Sequence, residues 1–130
     1  NSIDGFLLSI PPKELAKLNA LVHPFVQRDF DVWSASQSTN YVLKEAAILF
    51  EAGAHKLLDK VVLVVSPEHL KVSRIMFRDG MSEEEVYKRM SKQWSDSKKR
   101  ANADYIIEND EKCSLIYQVL NLHNTFSAFK

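Results

Sequence analysis

From Pro11 onward apolar side chains recur three and four residues apart: Leu15, Leu18, Val22, Phe25 or Val26, Phe30 and Trp33. That spacing predicts an amphipathic helix, opened by Pro11-Pro12 and ended by the polar stretch Ser34 to Asn40. Pro24 lies inside the pattern and predicts a kink or break at His23-Pro24, because proline lacks an amide hydrogen and crowds the preceding turn. Tyr41, Val42 and Leu43 begin a predicted strand, which Ala46 to Phe50 continue and Glu51, Ala52 and Gly53 stop. After a short connection, Val61-Val62-Leu63-Val64-Val65 is unbroken and β-branched, the pattern of a strand buried on both faces. Ser66 suits the N-cap and Pro67 the first position of a helix that carries Leu70, Ile75 and Met76. That helix ends at Asp79-Gly80, with Gly80 suited to a left-handed terminal position. Ser82 and Glu85 make a capping-box pattern for a helix from Glu83 to Trp94, and Ser95-Asp96 restart a shorter one through Asn102. Asp104 to Glu108 reads as a brief strand. The last helix runs from about Ser114 to His123, with Leu115, Val119 and Leu122 on one face.

Strands alternating with helices predict the α/β class, with parallel strands covered by helices. A chain of 130 residues suits one domain. Seventeen basic and 17 acidic residues balance, which argues against a general nucleic-acid or membrane binder but leaves room for a local basic site. The longest apolar run, Val61 to Val65, is far too short to span a membrane. The start, NSIDGFLLSI, has no basic segment followed by a long apolar one, so it does not read as a signal peptide. It begins with Asn rather than Met, which predicts a processed or truncated chain. Cys113 is alone, so no internal disulfide forms and a reducing compartment is the simpler expectation. As a residue type it reads as a small buried or edge side chain rather than a reactive thiol.

The basic side chains cluster between Lys71 and Arg100, with acidic Glu83, Glu84, Glu85 and Asp96 near helix starts. Charge counting alone reads this as a solvated, salt-bridged helical hairpin. Arg74 and Arg78, however, lie four apart on one predicted helix and share a face. They repel mildly unless an anion lies between them, and the guanidinium fork matches phosphate geometry. His23 is displayed at the expected bend, although a lone histidine is more often a core or capping residue. No second His, Cys or carboxylate stands at ligand spacing, so no metal site is expected in this chain. Glu45 and Glu51 flank the apolar run. Glu51 is the better placed for the carboxyl end of a parallel strand, where α/β proteins bind ligands. G-x-S-x-G is absent, and nothing resembles a Ser-His-Asp set. Trp33 and Trp94 read as packing residues.

Together these segments resemble the dephospho-coenzyme A kinases, members of the P-loop kinase group. The residues that carry the resemblance are Leu18-Asn19-Ala20-Leu21-Val22-His23-Pro24 and Glu45-Ala46-Ala47-Ile48-Leu49-Phe50-Glu51. Arg78-Asp79-Gly80-Met81-Ser82 follows, with Arg89 and Gln93. The last are Lys99-Arg100-Ala101-Asn102-Ala103-Asp104 and Ile107-Glu108-Asn109-Asp110. The resemblance implies transfer of the ATP γ-phosphate to the ribose 3′-hydroxyl of dephospho-CoA, the last step of coenzyme A biosynthesis, in the cytoplasm. It implies a P-loop-kinase-like parallel sheet with flanking helices and a helical lid, in a single partial domain. Residues 11–39 would be CoA-side helices, 40–81 core strands and a helix, 82–102 the lid, and 103–130 a C-terminal strand and helix. Arg100 and Arg78 are implied as catalytic, and Arg74, Arg89, Gln93 and Asn109 as binding ATP. His23, Glu45 and Glu51 are implied on the CoA side. The implied partners are ATP with Mg²⁺, whose ligands would lie outside this chain, and dephospho-CoA.

Two departures matter. Ala46 and Ala47 stand where the family usually has Val-Pro. None of the three glycines, Gly5, Gly53 and Gly80, precedes Lys-Ser or Lys-Thr, so the G-x-x-x-x-G-K-[ST] phosphate loop is absent. The chain resembles about the C-terminal two thirds of the family, and these 130 residues alone are expected to be inactive. In this fold class the first strand lies between those expected at Tyr41–Phe50 and Val61–Val65, so the sheet is expected to show a gap or a partner filling it. The alternatives are a non-catalytic CoA- or nucleotide-binding fragment, or another nucleoside-monophosphate-type kinase.

Overall fold

Helix α1, Pro12–Ala35, realises the first apolar stripe. The structure, a computed structural model, describes residues 11–129, without the side chains of Pro12, Leu15 and Asn19. The reading of the segment Asn1 to Ile10, and the place of Leu15 in the stripe, lie outside the described residues. The helix runs unbroken for 24 residues with Pro24 inside it, so the expected break at His23-Pro24 is absent. Proline removes the one bond that would reach the Ala20 carbonyl, and the turns on either side carry the helix across. Ala20 and Pro24 are both exposed, so water can reach the freed carbonyl. At the far end the Ser36 hydroxyl and the Gln37 amide donate to the Trp33 carbonyl at 2.6 and 3.0 Å, closing the helix.

The chain forms two compact units, Asn1–Val42 and Leu43–Lys130. α1 belongs to the first, and the elements that follow belong to the second.

No strand forms over Tyr41–Phe50. Residues 41–46 are irregular, and the run beyond them folds into a turn, with Ala52 N–H donating to the Ile48 carbonyl at 3.0 Å. Gly53 follows at φ 72, and a 3₁₀ helix occupies Ala54–Leu57. A short apolar run is ambiguous between helix and strand, and Ala46, Ala47 and Leu49 turn readily into helix. A strand also needs a hydrogen-bonded neighbour, and none of the described residues provides one.

Among the described residues the sheet has two strands, β1 (Val62–Val65) and β2 (Tyr105–Glu108), which run parallel. Val62 faces Tyr105, Val64 faces Ile107 and Val65 faces Glu108. Tyr105 N–H donates to the Val61 carbonyl at 3.1 Å and Asn109 N–H to the Val65 carbonyl at 2.7 Å. Backbone polarity alternates along a strand. Val61, Leu63 and Val65 therefore point their groups at β2, and Val62 and Val64 point theirs away. On that outer edge no described residue pairs with them; because Tyr41–Phe50 forms no strand, the sheet has an open edge there rather than the expected gap between two strands. Val64 is 58% exposed, so β1 is not buried on both faces as its composition suggests.

Helices α2 (Glu68–Asp79), α3 (Glu83–Met90), α4 (Asp96–Arg100) and α5 (Leu115–Ser127) complete the second unit. Pro67, not Ser66, is the N-cap of α2, because the Ser66 hydroxyl is committed elsewhere. Gly80 ends α2 at φ 66, as its residue type suggests. The Ser82–Glu85 capping box is complete: the Glu85 N–H donates to the Ser82 hydroxyl and the Glu85 carboxylate accepts from Ser82 N–H at 2.8 Å. α3 stops at Met90, short of Trp94, because the chain turns over Ser91–Gln93 and restarts on the Ser95 cap. α5 runs past His123 to Ser127, where Phe126 is buried edge-on against Tyr105 at 5.2 Å. The core is Phe50, Val61, Val65, Val72, Val86, Ile107 and Phe126, with Val86 of α3 wholly enclosed.

Candidate functional site

The carboxyl ends of β1 and β2 lie side by side, the end of a parallel sheet where α/β proteins place ligands. Ser66 and Asn109 mark that edge. The Ser66 hydroxyl donates to the Asn109 carbonyl at 2.8 Å and accepts from Arg74 Nη1 at 3.1 Å, so one hydroxyl joins both strand ends to α2. Arg74 Nη2 reaches the Glu111 carboxylate at 2.9 Å. Glu111 is the one described non-glycine residue with positive φ, at 66°.

Each of the other expected phosphate-binding arginines also meets a carboxylate. Arg78 donates to its neighbour Asp79 through Nε at 2.6 Å and Nη2 at 2.9 Å. Arg89 reaches the same carboxylate at 3.2 Å, so Asp79 sits between two guanidinium groups. The Arg78 bonds foremost hold the Asp79 carboxyl below its ordinary range. Arg100, the last residue of α4, forms a two-pronged pair with Glu108 of β2 at 2.9 and 3.2 Å, which raises its own pKa. Arg74 and Arg78 share a helix but not an anion; they are held by different carboxylates.

Glu51 and Gln93 come together through Lys99. Lys99 Nζ lies 3.3 Å from Glu51 Oε1 and 3.1 Å from Gln93 Oε1. The same Glu51 oxygen accepts the Trp94 backbone N–H at 2.8 Å, while Oε2 is buried with no hydrogen-bond partner. Burial pushes the Glu51 carboxyl up, but the Trp94 N–H and Lys99 outweigh it, and the net shift is downward. Around this pair Trp94 stacks on Phe50 at 5.8 Å and meets His55 edge-on at 6.0 Å. Lys98 Nζ sits 3.6 Å above the Trp94 ring.

His23 and Glu45 are exposed, His23 on α1 and Glu45 in the irregular segment. Cys113 is exposed rather than packed. The negative charge of Asp110 raises its thiol pKa, which leaves it a poor nucleophile. Among the described residues no three His, Cys, Asp or Glu side chains converge as a metal site would require. Asp79, Glu108 and Lys99 stand within the resembling segments but carry no role in the sequence reading, and Glu111 and Gln118 are missed by it altogether. The Gln118 side-chain amide pairs with the Glu108 backbone, accepting its N–H at 2.8 Å and donating to its carbonyl at 3.0 Å. A carboxylate among arginines reads as surface charge until the fold shows which one it meets.

The family model for dephospho-CoA kinase matches residues 10–114, most of the chain. The chain belongs to the dephospho-CoA kinase family. It is 42% identical over 102 residues to the dephospho-CoA kinase of Chlorobaculum tepidum, covering 76% of this chain and 49% of that one. It is 35% identical over 112 residues to that of Porphyromonas gingivalis, covering 85% and 55%. It superimposes on a crystal structure from Thermus thermophilus with a TM-score of 0.81 and 30% identity, over 95% of this chain and 64% of the other. The chain thus spans about half the length of the curated dephospho-CoA kinases it matches. The P-loop-kinase-like α/β class read from the sequence holds, with the sheet incomplete at two strands.

Proposed function

We propose that this chain carries the lid and CoA-side portion of an enzyme that moves the γ-phosphoryl group of ATP to the ribose 3′-hydroxyl of dephospho-CoA. The family match across residues 10–114 carries the reading. In the transfer, the 3′-oxygen forms a bond to the γ-phosphorus as the bridge to the β-phosphate breaks, and ADP leaves. The reaction depends on positioning and on neutralising the phosphate oxygens; Mg²⁺, whose ligands would lie outside this chain, would supply part of that neutralisation. Residues 82–102 act as the lid. Arg100 and Arg78 neutralise the transferring group, Arg74, Arg89, Gln93 and Asn109 hold ATP, and His23 and Glu45 face dephospho-CoA. Guanidinium groups already aligned on carboxylates are suited to exchange those oxygens for phosphate oxygens of the same geometry. Closing such a lid also excludes water that would hydrolyse ATP. The enzyme works on small molecules in the cytoplasm. No described helix is long and apolar enough to cross a membrane.

The phosphate loop, its lysine, the magnesium-binding hydroxyl and the base for the 3′-hydroxyl proton have no counterpart in these 130 residues. The test joins this chain behind the N-terminal half of the Chlorobaculum tepidum relative. The joined protein is expected to phosphorylate dephospho-CoA, with Arg100→Ala lowering kcat on the order of a thousandfold. The chain alone is expected to give no product. A folded joined protein that prefers a nucleoside monophosphate would overturn the substrate assignment. The second reading is a binding module without catalysis; stoichiometric CoA binding by the isolated chain, with no turnover in the joined protein, would establish it.

A further inference from the structure

Glu51 stands where a substrate contact is implied, yet its carboxylate is taken up by the chain itself. Oε1 holds the Trp94 N–H and Lys99 Nζ, and the Glu51 and Lys99 side chains are only 17% and 13% exposed. The consequence falls on α4, a helix of five residues. A helix so short has little stability of its own, and tertiary contacts decide whether it stays in place. Three consecutive side chains at its end are fastened: Lys98 over the Trp94 ring, Lys99 to Glu51, and Arg100 to Glu108. Glu51 also grips the backbone just ahead of the Ser95 cap. A half-buried ion pair contributes little net stability once its desolvation is counted, and this one leaves Oε2 without a partner. What it supplies is geometry.

We propose that Glu51 is a positioning residue for Arg100, latching residues 94–100 to the turn at 47–53 so that α4 is a fixed floor. The proposal rests on the reading of Arg100 as the phosphate-neutralising arginine. It replaces direct substrate contact as the role of Glu51, and it moves the start of the rigid part to Trp94.

Two measurements test it. In the chain with Trp33→Phe, Trp94 is the sole indole. Glu51→Ala is expected to speed exchange of the Trp94 amide at least tenfold and increase acrylamide quenching of its fluorescence, with the Leu63 and Val65 amides unchanged. Glu51→Gln, which keeps an acceptor oxygen, is expected to restore the amide protection. Unchanged Trp94 exchange and quenching in Glu51→Ala would overturn the latch. In the joined protein, Glu51→Ala and Lys99→Met are each expected to lower kcat about tenfold, with Glu51→Gln recovering most of the loss and KM for both substrates within twofold. A raised KM for dephospho-CoA with kcat intact would show direct substrate contact instead and overturn the positioning role. If the unsubstituted joined protein has no activity, the reading of function fails, while the Trp94 measurements still decide whether the latch exists.

Discussion

At the scale of single residues, the site is a set of cations already supplied with anions. Glu111 shows what that arrangement costs. Its φ of 66° strains a side chain with a Cβ by about 1 kcal/mol or more, and its exposed pair with Arg74 returns about 0–1 kcal/mol. Glu111→Gly is therefore expected to leave the melting temperature unchanged or slightly raised; a fall of several degrees would show that the ion pair outweighs the strain. Asp104 makes the opposite case. Its carboxylate accepts the Val61 N–H at 2.8 Å and pairs with Lys60 at 3.3 Å, and the Val61 bond foremost lowers its pKa. A lowered folded pKa means that the unfolded chain takes up the proton first as pH falls. The stabilisation is complete above the ordinary aspartate range and is lost as pH drops through the folded value. Asp104→Asn is expected to lower the melting temperature most at neutral pH, where the stabilisation is complete, and to flatten the acid limb of the profile, converging on the parent once Asp104 is protonated. The cationic half of this site was legible, since Arg74, Arg78, Arg89 and Arg100 stand out by type and spacing. Glu108 and Glu111 were not, because a carboxylate's partner depends on the path of the chain rather than on local pattern; Asp79 pairs with its neighbour Arg78, but its second partner Arg89 is brought to it by the fold.

Among the elements, those defined by local chemistry were readable and those defined by neighbours were not. Gly80 and the Ser82–Glu85 box act within a few residues of themselves, and both fall where the sequence puts them. Ser82→Ala is expected to cost about 1 kcal/mol in denaturant unfolding. Tyr41–Phe50 carries strand-like side chains, but a strand is a relation between two segments, and the second segment is not among the described residues. β1 and β2 offer a direct check on the assigned polarity of the ladder. The amides of Val62 and Val64 point to the open edge and are expected to exchange far faster than those of Leu63 and Val65, which point to β2; uniform protection along β1 would mean that something covers that edge. Gln118→Ala leaves the Glu108 N–H without its acceptor, and a loss of about 1–3 kcal/mol is expected, with faster exchange at Glu108.

For the whole molecule, balanced charge and exposed apolar side chains act together. Seventeen basic and 17 acidic residues give a sequence pI of about 7.1, so long-range repulsion between copies vanishes near neutrality. Val64 on the open β1 edge is 58% exposed. The isolated chain is expected to self-associate near pH 7, as judged by sedimentation, and Val64→Lys is expected to suppress it. The fold class was legible from the order of strands and helices. The incompleteness of the sheet was legible from the missing phosphate loop together with the family's strand order. The division at Val42 was not, because an amphipathic helix pattern does not say which surface its apolar side will meet. The Gln118 amide adds a constraint on how copies can join. It occupies the place of a neighbouring peptide unit at Glu108, so the rim of β2 is partly sealed while the rim of β1 stays receptive. Contact through like rims brings a two-fold axis and uses up both receptive surfaces at once, so the assembly closes as a pair instead of propagating into a fibre.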